Sequence, residues 1–160
     1  MDEERVEDDR GDTEEQRERY RELLEETRTV MPGTQVLFAF LLTSTFSQRF
    51  QDLDPLAKRS YAAALLLAGL AALVLMGPAA FHRVSEPGQR TDRLLVSIRL
   101  QITGMAMLLA AITIVTFVVI RLMFESTAIG LVFGGVVAGV GVGVWYLLPL
   151  ARKDRSEAER

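Results

Sequence analysis

Four long apolar runs, each without a charged side chain in its interior, constrain this chain more than any other feature. They cover residues 30–46, 61–81, 100–120 and 128–151. A hydrocarbon layer about 30 Å thick needs about 20 helical residues at about 1.5 Å each. The last three runs reach that length, and the first, with 17 residues, reaches it once Ser47 and Gln48 are added. A transmembrane barrel alternates apolar and polar residues, whereas these runs are continuously apolar, so helices are predicted. The expected fold is all-α: a polytopic membrane protein, a bundle of four transmembrane helices with an amphipathic cytoplasmic N-terminal helix. The spans are placed at about 30–48, 61–81, 100–120 and 128–151.

Composition explains how such runs coexist with so much charge. The chain is 49% hydrophobic and 24% charged, which requires segregation, and the charges gather at the ends and in short clusters. There is no cysteine, hence no disulfide, thiolate nucleophile or cysteine metal site. A lone histidine, His82, leaves one chain short of a multi-histidine metal centre. The first thirty residues are strongly acidic and do not fit a secretory signal. Residues 1–12 hold too few apolar side chains to offset the entropy of ordering. From Thr13 and Gln16, a capping-box pair, residues Tyr20, Leu23, Leu24, Thr27 and Val30 recur at helical spacing. Residues 1–29 thus read as a cytoplasmic acidic tail with a juxtamembrane helix, 30–151 as the transmembrane domain, and 152–160 as a cytoplasmic tail.

The connections are short, which makes successive helices antiparallel neighbours. Asp54 before Pro55 is a strong helix start, with a capping carboxylate and a proline at the first helical position. Residues 82–99 read as a second connection, turning at Glu86-Pro87-Gly88 and restarting a helix at Thr91 and Asp92. Residues 121–127 form a tight hairpin. Of the 18 Lys and Arg residues, 14 fall in the two tails and the 82–99 connection, and four in the other two connections. The positive-inside rule then predicts both termini in the cytoplasm, in the inner (plasma) membrane of a bacterial cell. Trp145 and Tyr146 suit the interfacial belt at the inner end of the fourth span.

Helices in lipid associate through close approach rather than hydrophobic drive, so small residues mark contacts. Gly135, Gly139 and Gly143 recur every four residues and predict the closest helix contact, with Gly130, Gly134 and Ala138 as a second row. Ala64, Ala68 and Ala72 form a stripe on the second span, and Gly104, Ala106 and Ala110 serve the third. The polar positions singled out are Gln35 and Thr43, which share a face with Ala39, and His82 with Arg83, which follow the Gly77-Pro78 kink. Gln35 reads as an interhelical hydrogen-bond donor or as the lining of a site. His82 and Arg83 read as interfacial anchors, with proton handling by His82 as the alternative.

The stretch Glu22-Leu23-Leu24-Glu25-Glu26-Thr27-Arg28 followed by Gly33-Thr34-Gln35-Val36-Leu37-Phe38-Ala39-Phe40-Leu41-Leu42-Thr43 resembles a bacterial membrane-protein family with a domain-of-unknown-function label. Pro78-Ala79-Ala80-Phe81-His82-Arg83 and Trp145-Tyr146-Leu147-Leu148-Pro149 are similar to it too, so the resemblance covers residues 20–150 or so. It implies a multi-pass protein in a bacterial setting, and some members are called sodium:proton antiporters. It brings no active-site residues with it.

Two functions follow as expectations. The first is a non-enzymatic small integral membrane protein, a structural, regulatory or accessory subunit without a cofactor. Its partners are the lipid bilayer and either a second copy or another membrane protein; nucleic acid is not among them. The alternative is a small oligomeric ion transporter or channel. Ion coupling commonly uses a membrane-embedded carboxylate, and the acids nearest the runs, Glu26, Asp54, Glu125 and Asp154, all stand at run ends.

Overall fold

A computed structural model describes residues 28–78, 80 and 90–148, together with 18, 21 and 25. Among these residues the protein is all-helical, without strands. Helix α1 covers 28–44, and Glu18, Arg21 and Glu25 are helical as well, each exposed. The capping pair Thr13 and Gln16 and, of the apolar face of the amphipathic helix, Tyr20, Leu23, Leu24 and Thr27 lie outside the described residues; Val30 is half-buried in α1.

Helix α1 ends where three consecutive small hydroxyls and one more begin to serve its carbonyls. Thr43 donates to the Ala39 carbonyl at 2.8 Å, Ser44 to Phe40 at 2.9 Å, Thr45 to Leu42 at 2.7 Å and Ser47 to Ser44 at 2.8 Å. The carbonyls at this helix end thus find partners within the chain, hydroxyls beside backbone amides, the requirement where water is scarce. The Ser47 hydroxyl also caps a one-turn helix, α2, at Gln48–Gln51. The Asp-Pro pair then starts α3, Pro55–Leu75, as its sequence predicts: Asp54 accepts from the amides of Leu56 and Ala57 at 2.9 and 3.0 Å.

Helix α3 buries Ala57, Tyr61, Ala64, Ala68, Ala71 and Leu75. This row departs from the strict four-residue stripe expected. Ala64 and Ala68 are in it, but Ala71 replaces Ala72. Alternating steps of three and four keep a seam facing its neighbour, whereas steps of four drift around the helix. Helix α4, Arg90–Phe124, is 35 residues long and therefore longer than the apolar run it contains. Its first ten residues occupy what the sequence presents as connection, because a polar stretch with good helix formers can extend a helix past its apolar part. Gly104 is buried against Leu75, but Ala106 is exposed; Ala111 and Val118 continue the buried row instead.

A two-residue turn, Glu125-Ser126, leads from α4 to α5. Glu125 adopts a left-handed backbone with φ 51°, and Ser126 caps α5, Thr127–Val142. A π-helical turn follows at Gly143–Leu147. The core lies where α1, α3 and α4 meet: Leu41, Ala57, Tyr61, Ala68, Ala111 and Val118. Tyr61 donates its hydroxyl to the Leu41 carbonyl at 3.0 Å, and Phe50 meets its ring edge-on at 5.3 Å. Most large apolar side chains point outward instead, among them Leu66, Leu73, Val132 and Val140.

Candidate functional site

At one end of the bundle, two connections are fastened by a single charged cluster. Arg121, in the last turn of α4, reaches Asp54 with Nη1 at 2.6 Å from Oδ2, and its Nε donates to the Thr127 hydroxyl at 3.1 Å. The other Asp54 oxygen is already the cap of α3. The Ala57 amide and then the Arg121 guanidinium hold the Asp54 carboxyl below its ordinary value of 3.8, outweighing the opposing effect of desolvation. Asp54 thus links the start of α3 to the α4–α5 hairpin. Nearby, Lys58 donates to the Gln51 carbonyl at 2.8 Å.

Helix α5 rests on α4 through glycines other than those expected to make the closest contact. A Cβ on Gly130 would stand 2.9 Å from the Phe117 carbonyl oxygen, and one on Gly134 would stand 3.4 Å from the Phe117 Cβ. Gly141 packs directly on Leu109. Gly135, Gly139 and Gly143 face away, with nothing within 4 Å of where a Cβ would stand. Rows one residue apart lie about 100° apart on a helix, so only one can face a given neighbour. Periodicity identifies both rows and cannot say which one α4 takes.

The polar candidates are dispersed. Gln35 is exposed and Thr43 spends its hydroxyl on its own helix, so no described side chain joins them in a site. His82 and Arg83 lie outside the described residues. Three other polar side chains are buried: Thr34, Ser97 and Gln101. Thr34 bonds to the Val30 carbonyl at 3.2 Å. Ser97 and Gln101 share a face of α4 with Gly104, and sequence reasoning passed over both. The available signal was their spacing, four residues and then three, continuous with a buried row. Tyr146 donates to the Ile102 carbonyl at 3.1 Å, joining the π-helical turn to α4. The Thr113 hydroxyl, beneath Gly134, is buried without a partner. Among the described residues, no three of His, Cys, Asp and Glu gather to hold a metal ion.

Three helices are long and apolar enough to cross a membrane: Pro55–Leu75, Leu95–Phe124 and Thr127–Leu147. Polar groups paired at helix ends and apolar side chains turned outward point to the same class, a helical membrane protein. Within that class, the chain belongs to DUF6328, a family of unknown function, whose pattern matches residues 10–149. No curated protein and no solved structure matches it.

Proposed function

We propose that this protein is a four-span, non-enzymatic component of the bacterial inner membrane, with both termini cytoplasmic, acting as a structural, regulatory or accessory subunit. The observation that carries the reading is the outer face of α5. Only 11% of its apolar window is buried within the chain, against 28% for α3. On that face Gly135, Gly139 and Gly143 stand open between Val132, Val136 and Val140, each of which is about 60% exposed. Such a groove lets a second helix approach to backbone contact, the geometry that drives helix association in lipid. Lipid chains gain nothing special from it.

The fourth span in this reading is α1. Its 17 described residues measure about 25 Å at about 1.5 Å each. It runs antiparallel to α3, with Leu41 beside Tyr61 and Phe38 against Gly69, so it shares the depth of a helix able to cross the membrane. Reporter fusions after residues 50, 88, 125 and 160 are expected to read outside, inside, outside and inside. The accessory role is tested by purification in mild detergent. A defined membrane-protein partner is expected with the wild-type protein and is lost with Gly139→Leu. Retention of the same partner by Gly139→Leu refutes a role for the α5 groove.

A further inference from the structure

Helices α3, α4 and α5 run between the same two planes, and contacts at each end mark them. At the first plane Arg121 of α4 holds Asp54, the cap of α3, and Thr127, at the start of α5. The Asp54 side chain is 41% exposed there, so this plane is open to polar surroundings. At the second plane Gly77 packs on Leu100 of α4, and the Tyr146 hydroxyl meets the Ile102 carbonyl. The path from Asp54 to Gly77 is 23 residues, from Arg121 back to Arg99 it is 22, and from Thr127 to Tyr146 it is 19. At about 1.5 Å per residue these paths measure about 28–35 Å, close to a hydrocarbon layer of about 30 Å. Arg99 therefore stands at the depth of the lipid headgroups on the second surface. Trp145 and Tyr146 share that depth, the usual place of such side chains.

Arg99 is exposed, and among the described residues its guanidinium has no hydrogen bond or ion pair; its carbonyl accepts the Thr103 hydroxyl at 2.8 Å. A guanidinium presents a planar fork of donors that matches a phosphate. Ile102 and Ala106 follow on the same face of α4 towards the first plane, both exposed and apolar. In the other direction α4 continues unbroken to Arg90, about 13 Å beyond Arg99. Residues 90–99 carry three arginines against one aspartate.

We propose that the Arg99 end of α4 is a binding site for an anionic phospholipid. The guanidinium takes the phosphate, the further arginines of the same helix raise the local positive potential, and an acyl chain lies along Ile102 and Ala106. The occupant follows from chemistry at two depths. A phospholipid joins an oxyanion to hydrocarbon within one molecule, which matches a cation followed by apolar surface. Free phosphate matches the cation alone. The amino tail, with 13 Asp and Glu among its first 26 residues, matches the cation but not the apolar surface below it. The site is separate from the glycine groove of α5 and does not depend on which side of the membrane this end faces.

The test uses the full chain purified in dodecyl maltoside, with thermal unfolding followed as dioleoylphosphatidylglycerol or dioleoylphosphatidylcholine is titrated into the micelles. Phosphatidylglycerol is expected to raise the melting temperature at lower concentration than phosphatidylcholine. Arg99→Gln is expected to raise the half-saturating concentration of phosphatidylglycerol about fivefold, the effect of one cation at an anionic surface, and to leave the phosphatidylcholine response unchanged. Arg59→Gln, which removes an exposed arginine near the first plane, is expected to change neither. Equal responses to the two lipids overturn the proposal, as does a phosphatidylglycerol preference that survives Arg99→Gln or falls equally in Arg59→Gln. Stabilisation by inorganic phosphate alone, lost in Arg99→Gln, assigns the site to a free anion and overturns the lipid assignment. A phosphatidylglycerol preference that emerges only when residues 2–12 are removed assigns Arg99 to the acidic tail and overturns it too. None of these outcomes bears on the α5 groove.

Discussion

Gly130→Ala is the sharpest test of how α5 sits on α4. The added methyl would stand 2.9 Å from the Phe117 carbonyl oxygen, 3.0 Å from the Arg121 Cβ and 3.1 Å from the Phe117 Cδ2. The first two cannot rotate out of the way, since one is backbone and the other is the root of a side chain whose guanidinium is held by Asp54. Nor can α5 tilt freely, because Gly130 lies within the first turn after the two-residue connection at Glu125-Ser126. Overpacking of this kind costs about 1–3 kcal/mol. Replacing glycine by alanine within a helix returns about 1 kcal/mol, which leaves a net destabilisation of about 0–2 kcal/mol. Gly135→Ala gains the same propensity and meets nothing within 4 Å, so it should be neutral or stabilised by up to about 1 kcal/mol. Unfolding of the purified variants by titration with a denaturing detergent, followed by helical circular dichroism, reads the difference. A Gly130→Ala protein as stable as Gly135→Ala would refute the assignment of the Gly130 row to the α4 contact.

Three further outcomes are expected. Asp54 has a folded-state pKa below its unfolded value, so its contribution is present above about pH 3.8 and is lost as pH falls through the lower folded value; Asp54→Asn should flatten this acid limb of a stability–pH profile. Thr113→Val removes a buried hydroxyl that has no partner and should raise stability by about 1 kcal/mol in the same detergent titration. Purified protein in liposomes should show no sodium-driven proton movement, read with a pH-sensitive dye, since the described spans offer hydroxyls and amides rather than an ionisable relay; flux abolished by Gln35→Ala would contradict the accessory-subunit proposal.

Much of the architecture is local and is therefore carried by the sequence itself. Uninterrupted apolar runs specify helices because a chain in lipid must satisfy its backbone internally, and three of those runs are helices able to cross a membrane. Asp54-Pro55 marks the start of α3 because both residues act within one turn of themselves. The length of α4 was less legible, since hydropathy records where a helix is greasy and not where its hydrogen bonds stop. What only the tertiary structure decided is which side of each helix meets a neighbour. Gly130 and Gly135 are equally small, and nothing within α5 distinguishes them; the turn at Glu125 aims the first at Phe117 and leaves the second open. Likewise Asp54 and Arg121 lie far apart in the chain, and an ion pair between them exists only because two connections end at the same place. Gln35 shows the same division: its chemistry is written in the sequence, but its outward direction depends on the opposite face of α1, where Leu41 is held against Tyr61.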